Sequence, residues 1–140
     1  MFIKIIENEP VQYSFTQLRE DNPNVSFPSK FTKSFLADWG LYEVVEGEKP
    51  DYDSLTQELV SSFKNVEGVW TRVYVDSNLP QEVAESNVRK KRNNLLRNTD
   101  WRFRSDMNPS QDWVDYCQQL RDITTQSGFP YSVVWPAAPN

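Results

Sequence analysis

Few side chains of this sequence are spaced for chemistry. Asp51 and Asp53 follow Lys49-Pro50 and could hold a hard cation or share a proton as an acid–base pair. The ligand spacing of a calcium loop is missing, and aspartate is common in turns because its carboxylate bonds its own backbone. A solvated turn is therefore the expectation. Cys117 is the single cysteine and a potential nucleophile. It falls on an apolar stripe between Trp113 and Leu120, which suits a small buried residue better. No histidine is present to activate it. The same absence removes Ser-His pairs, imidazole metal ligands and imidazole pH switches. Gly40, Gly47, Gly68 and Gly128 are the only glycines and stand too far apart for a phosphate-cradling loop. No catalytic residue, no cofactor and no metal site is expected.

Recognition is better provided for. Arg89-Lys90-Lys91-Arg92, then Arg97, Arg102 and Arg104, set seven bases against one acid, Asp100, within residues 89–104. With Trp101 and Phe103 interleaved, this segment could track a nucleic-acid backbone and stack bases. The expectation is a solvated helix face that balances the acidic first part, within the chain or across a protein interface. The net charge of −5 opposes a dedicated nucleic-acid binder. The candidate protein-binding residues are Arg89, Lys90, Arg92, Arg97, Arg102, Arg104 and Trp135. A nucleic-acid-binding accessory protein using residues 89–104 is the alternative.

The elements that must position these residues divide the chain. Residues 1–80 carry 13 acids against 7 bases, and residues 81–140 carry 7 against 8. The first part reads as β-rich with short helical turns. Strands are expected over Phe2–Ile6 and Leu41–Val45. A hairpin is expected with strands Leu55–Lys64 and Val69–Val75 around Asn65-Val-Glu-Gly68. Val69, Thr71, Val73 and Val75 share one face of its second strand, opposite Trp70, Arg72 and Tyr74; both faces carry bulk, so both are expected to be covered. Ser14 suits the cap of a helical turn over residues 13–18. Residues 24–28 read as extended before Pro28. A second short helix over Phe31–Trp39 should close on Gly40 as a left-handed cap.

The second part reads as helical. Pro80 suits the first turn of a helix, with Glu82 and Glu85 near its positive end. Ala84, Val88, Leu95 and Leu96 fit one face. Asn108-Pro109-Ser110-Gln111 reads as a helix start with Asn108 as the cap. Trp113, Tyr116, Cys117, Leu120 and Ile123 then recur at three- and four-residue steps. Gly128 is expected to stop that helix, with Phe129 folding back on its last turn. The expected core is Leu95, Leu96, Trp101, Trp113, Tyr116, Cys117, Leu120, Ile123 and Phe129. Alanine at Trp101 or Trp113 should then cost roughly 3–5 kcal/mol.

The chain of 140 residues has length for one domain or two small ones, and 14% aromatic content argues for an ordered core. One cysteine permits no internal disulfide. The opening MFIKIIENEP has no apolar run of signal-peptide length, and nothing approaches a membrane helix, so a reducing cytoplasm is the expected setting. The fold class is α+β. A small β-rich N-terminal part (residues 1–79) is expected to pack with a C-terminal helical hairpin and extended tail (residues 80–140).

The last fifty residues also carry a recognisable pattern. It runs through Arg92-Asn-Asn-Leu-Leu-Arg-Asn-Thr-Asp-Trp101, Trp113-Val-Asp-Tyr116, Leu120-Arg-Asp-Ile123, Gly128-Phe-Pro130 and Val134-Trp-Pro136. In order and spacing these five segments resemble the bacteriophage tail assembly chaperone family. Gln17–Pro28, Gly40-Leu-Tyr42 and Gly68-Val-Trp-Thr71 resemble, more loosely, the N-terminal region found with that module. Arg102-Phe-Arg104-Ser-Asp-Met departs from the pattern, being basic where relatives are more often polar or acidic. The resemblance implies a non-enzymatic protein of the phage tail or tail fibre. It would bind tail, baseplate or tail-fibre proteins in the host cytoplasm during assembly, or remain in the virion tail as a structural part. No membrane partner is implied.

Overall fold

The computed structural model describes residues Met1–Asn140 and is α+β. The elements are β1 (Phe2–Ile6), β2 (Glu9–Tyr13), α1 (Phe15–Asp21), α2 (Lys33–Asp38), β3 (Leu41–Glu46), β4 (Gln57–Val66) and β5 (Val69–Asn78). They are followed by α3 (Gln81–Arg97), a 3-10 turn (Asp100–Phe103), α4 (Gln111–Arg121) and a second 3-10 turn (Asp122–Thr125). The five strands form one sheet in the order β2-β1-β3-β5-β4. β1 is antiparallel to β2 and β3, while β3 runs parallel to β5 with Val44 opposite Trp70.

Contacts divide the chain into two compact units, one of Met1–Pro50 with Val60–Val75 and one of Asp51–Leu59 with Asp76–Asn140. The first unit's core is Tyr13, Leu18, Leu36 and Leu41, surrounded by Phe2, Phe15, Phe27, Phe31, Phe35 and Trp39. Its rings run in a chain, with Phe15 stacked on Phe31 at 3.9 Å and Phe27 edge-on to Trp39 at 5.1 Å. Ser14 and Gln17 form a full capping box at α1, as the Ser14 reading anticipated. Gly40 adopts φ +65° behind α2.

Two features of this unit differ from expectation. β2 was not legible, because Pro10 argues against a strand and the two-residue turn before it lacks glycine. Glu7 and Asn8 nevertheless both take positive φ, which closes a tight hairpin, and the sheet order leaves Pro10 on an edge strand. The β4–β5 hairpin turns in the same way through Glu67 and Gly68 at φ +51° and +85°. Covering of both β5 faces is the second correction. Val69 and Val75 stay about half exposed, as do Val45 on β3 and Val60 on β4.

The second unit's core is Val88, Tyr116, Cys117, Leu120 and Ile123, with Leu95, Leu96, Trp113, Phe129, Val133 and Trp135 packed against it. Thr99 is buried and its hydroxyl bonds the Leu96 carbonyl at 2.6 Å and meets the Cys117 sulfur at 3.2 Å. Residues 51–59 belong to this unit through Asn87, whose amide donates to the Leu55 carbonyl at 3.0 Å. The Tyr131 hydroxyl likewise donates to the Leu79 carbonyl at 2.8 Å.

Helix ends are displaced from their sequence signals. Pro80 stands at the cap of α3 rather than in its first turn, and α4 starts at Gln111 behind Ser110, not behind Asn108. Neither Pro80 nor Ser110 makes a side-chain cap bond, so packing of Tyr116, Cys117 and Leu120 sets where α4 lies. Gly128 does not cap α4, which passes at Arg121 into a 3-10 turn. Its role is close approach: the Ser132 amide bonds the Gly128 carbonyl at 2.7 Å, and the turn leaves no room for a side chain. The tail beyond is held by Gln126, whose amide accepts from the Val134 N–H at 2.8 Å and donates to the Val134 carbonyl at 2.9 Å. One side chain thus stands in for a strand partner.

Candidate protein-binding surface

Alternation along α3 separates its core face from its charged face. Ala84 and Val88 are buried one turn apart, and Leu95 continues that face half-buried. Arg89 and Lys90 fall on the exposed side, and Arg97 sits in the last turn where the helix dipole favours a cation.

Several of the cations are already engaged within the molecule. Arg89 bonds Glu85 at 2.7 Å, the one side-chain ion pair present, and lies 5.1 Å over the Phe129 ring. That pair and a bond from Gln81 hold the Glu85 carboxyl below its ordinary range, the Gln81 bond being the larger cause. Lys91 lies 4.3 Å over the Trp135 ring. Arg92 directs two N–H groups at the Asn93 side-chain oxygen, 2.9 and 3.1 Å away. Lys90, Arg97, Arg102 and Arg104 have no carboxylate within 4.0 Å. Lys90, Arg97 and Arg104 are exposed, whereas Arg102 is half-buried.

Arg102 is held differently from the rest. Its guanidinium carbon lies 4.3 Å over the Trp101 ring and 3.8 Å over the Trp113 ring, so the cation meets two indoles at once. The 3-10 turn brings Trp101 beside Arg102, and the first turn of α4 supplies Trp113. Trp113 is also edge-on to Tyr116 at 5.7 Å.

Of the expected core, Tyr116, Cys117, Leu120 and Ile123 are buried, and Leu95, Leu96, Trp113 and Phe129 are packed against them. Trp101 is corrected: it is 45% exposed, because the 3-10 turn projects it away from the hairpin core. Trp135, expected on the binding surface, is half-buried against the core beneath Lys91. The two motif tryptophans should therefore behave unequally. Trp113→Ala is expected to cost about 2 kcal/mol and Trp101→Ala about 0.5–1 kcal/mol, in proportion to the area each buries. Urea unfolding of both variants checks this, and equal losses would contradict the placement of Trp101.

Asp53 accepts from the Leu55 N–H at 3.0 Å and the Thr56 hydroxyl at 3.3 Å, the bonds of a turn. No three cysteine, aspartate or glutamate groups converge on a metal position. Burial raises the Tyr116 phenol, moving it further from neutrality and away from what a proton-transfer group needs. The Gln126 pairing with Val134 and the stacking of Arg102 escaped the sequence, since neither follows a helical or strand period.

No helix is long and apolar enough to cross a membrane. Residues 85–140 match the model of a family described as phage tail assembly chaperone protein, the family that the five ordered motifs resemble. That match supports a role in phage tail assembly. No curated protein and no solved structure matches the chain.

Proposed function

We propose that this chain, with residues 85–140 recognised as a phage tail assembly chaperone segment, is a non-enzymatic module that binds tail or tail-fibre proteins during assembly. The carrying observation is the family match over residues 85–140, the segment that also holds the run of seven bases within residues 89–104. Lys90, Arg97, Arg102 and Arg104 form the partner-facing set in this reading. Residues 80–140 hold the assembly module and residues 1–79 form a β-rich region. The partners are phage tail, baseplate or tail-fibre subunits, met in the host cytoplasm. Release after assembly is the proposed course, as expected of a chaperone.

Two measurements test this. The full chain, purified from cells in which the phage is assembling, should bring tail or fibre subunits with it; their absence would end the reading. Quantitative peptide mass spectrometry on purified virions should then find no copies. A fixed copy number, especially a multiple of three or six, would instead assign the chain to the tail as a permanent part.

A further inference from the structure

Resting on the protein-binding reading above, we propose that Arg102, stacked between Trp101 and Trp113, is a carboxylate clamp for an acidic side chain or chain terminus of the partner protein. A guanidinium offers five N–H donors around a planar rim. The cation of Arg102 is held against two indole rings, and no acceptor within the chain takes a hydrogen bond from its N–H groups. Stacking also restricts the long side chain in advance, so less freedom is lost when an acceptor arrives. A carboxylate matches that rim in two parallel bonds.

The surroundings fit a protein segment. Arg102 borders a concavity of about 220 Å³ that Met107, Asn108, Pro109, Ser110 and Trp113 also line. Trp101, Phe103 and Met107 there are each between 42% and 45% exposed, residue types enriched where proteins bind proteins. Charge decides against a nucleic-acid strand at this place. Between Arg97 and Trp113, Arg97, Arg102 and Arg104 are balanced by Asp100, Asp106 and Asp112. Such a balance makes no continuous track for phosphates, yet it leaves one oriented cation for one carboxylate among apolar contacts.

The test places a photo-crosslinking benzoyl-phenylalanine at position 103 of the full chain in cells producing the phage, and maps crosslinked peptides by mass spectrometry. The expected peptides come from a tail or fibre subunit and carry an aspartate, a glutamate or a free C-terminus. Arg102→Gln should lower their yield about tenfold or more, while Arg121→Gln leaves it unchanged. Arg102→Lys keeps the charge and most of the stem but lacks the planar fork and should lose yield similarly, while near-parent urea midpoints in both Arg102 variants exclude a folding artefact. Native yield in either Arg102 variant, or tail-protein peptides without a carboxylate, overturns the clamp and leaves the assembly function standing. Failure to crosslink while tail subunits still co-purify does the same. Crosslinks to nucleic acid, or no tail subunit captured by either method, overturn both.

Discussion

Leu120→Ala is expected to lower the unfolding free energy of the second unit by about 2–5 kcal/mol. Leu120 is 0% exposed and sits in the cluster with Val88, Tyr116, Cys117 and Ile123. Removing its branched end deletes buried apolar surface and leaves a cavity that two packed helices cannot readily collapse into. A domain of this size is stable by only about 5–15 kcal/mol, so the loss is a large fraction of the total. Urea denaturation followed by far-UV circular dichroism reads it. Val134→Ala serves as the comparison, because Val134 is 76% exposed and should stay within about 0.5 kcal/mol of the parent. If the two variants unfold alike, Leu120 is not a core residue.

Gly128→Ala is expected to cost about 3 kcal/mol or more and to release the tail. A Cβ at this position would collide with the Ser132 carbonyl oxygen and lie 3.0 Å from the carbonyl carbon behind it. Both neighbours are backbone, held by the Ser132 to Gly128 bond, so relief requires opening the turn. The opening displaces Phe129, Val133 and Trp135 from the core and breaks the Gln126 clamp on Val134. Amide exchange at Val134 should accelerate together with the fall in stability. Gly40→Ala makes the contrast: it meets nothing within 4 Å, and only its positive φ opposes a side chain, at about 1 kcal/mol. Equal costs at the two glycines would show that the turn at Gly128 can relax.

Much of the helical half was legible because its signals are local. The stripe from Trp113 to Ile123 names the core face of α4 through its period alone, and the five ordered motifs point to the family whose model matches residues 85–140. Ser14 with Gln17 was readable for a similar reason, since a capping box closes within one turn. Boundaries were less readable. Asn108-Pro109 has the chemistry of a helix start, yet α4 begins at Gln111, where burial of its apolar stripe places it. β2 stayed hidden because two non-glycine residues accept positive φ once Phe2 to Ile6 pair with Glu9 to Tyr13 across the hairpin.

The candidate surface divides in the same way. Composition by itself determined that no imidazole chemistry is available, that cations gather in residues 89–104, and that aromatic residues lie among them. Only the tertiary structure decided which cations remain free. Arg89 and Lys91 are engaged with Glu85, Phe129 and Trp135, whose partners in Phe129 and Trp135 lie some forty residues further along the chain. It also reversed the expected places of two tryptophans, exposing Trp101 and seating Trp135. The physical reason is one of range: periodicity and caps are set by neighbours within a turn or two, whereas burial and stacking depend on which distant segments the fold brings into contact.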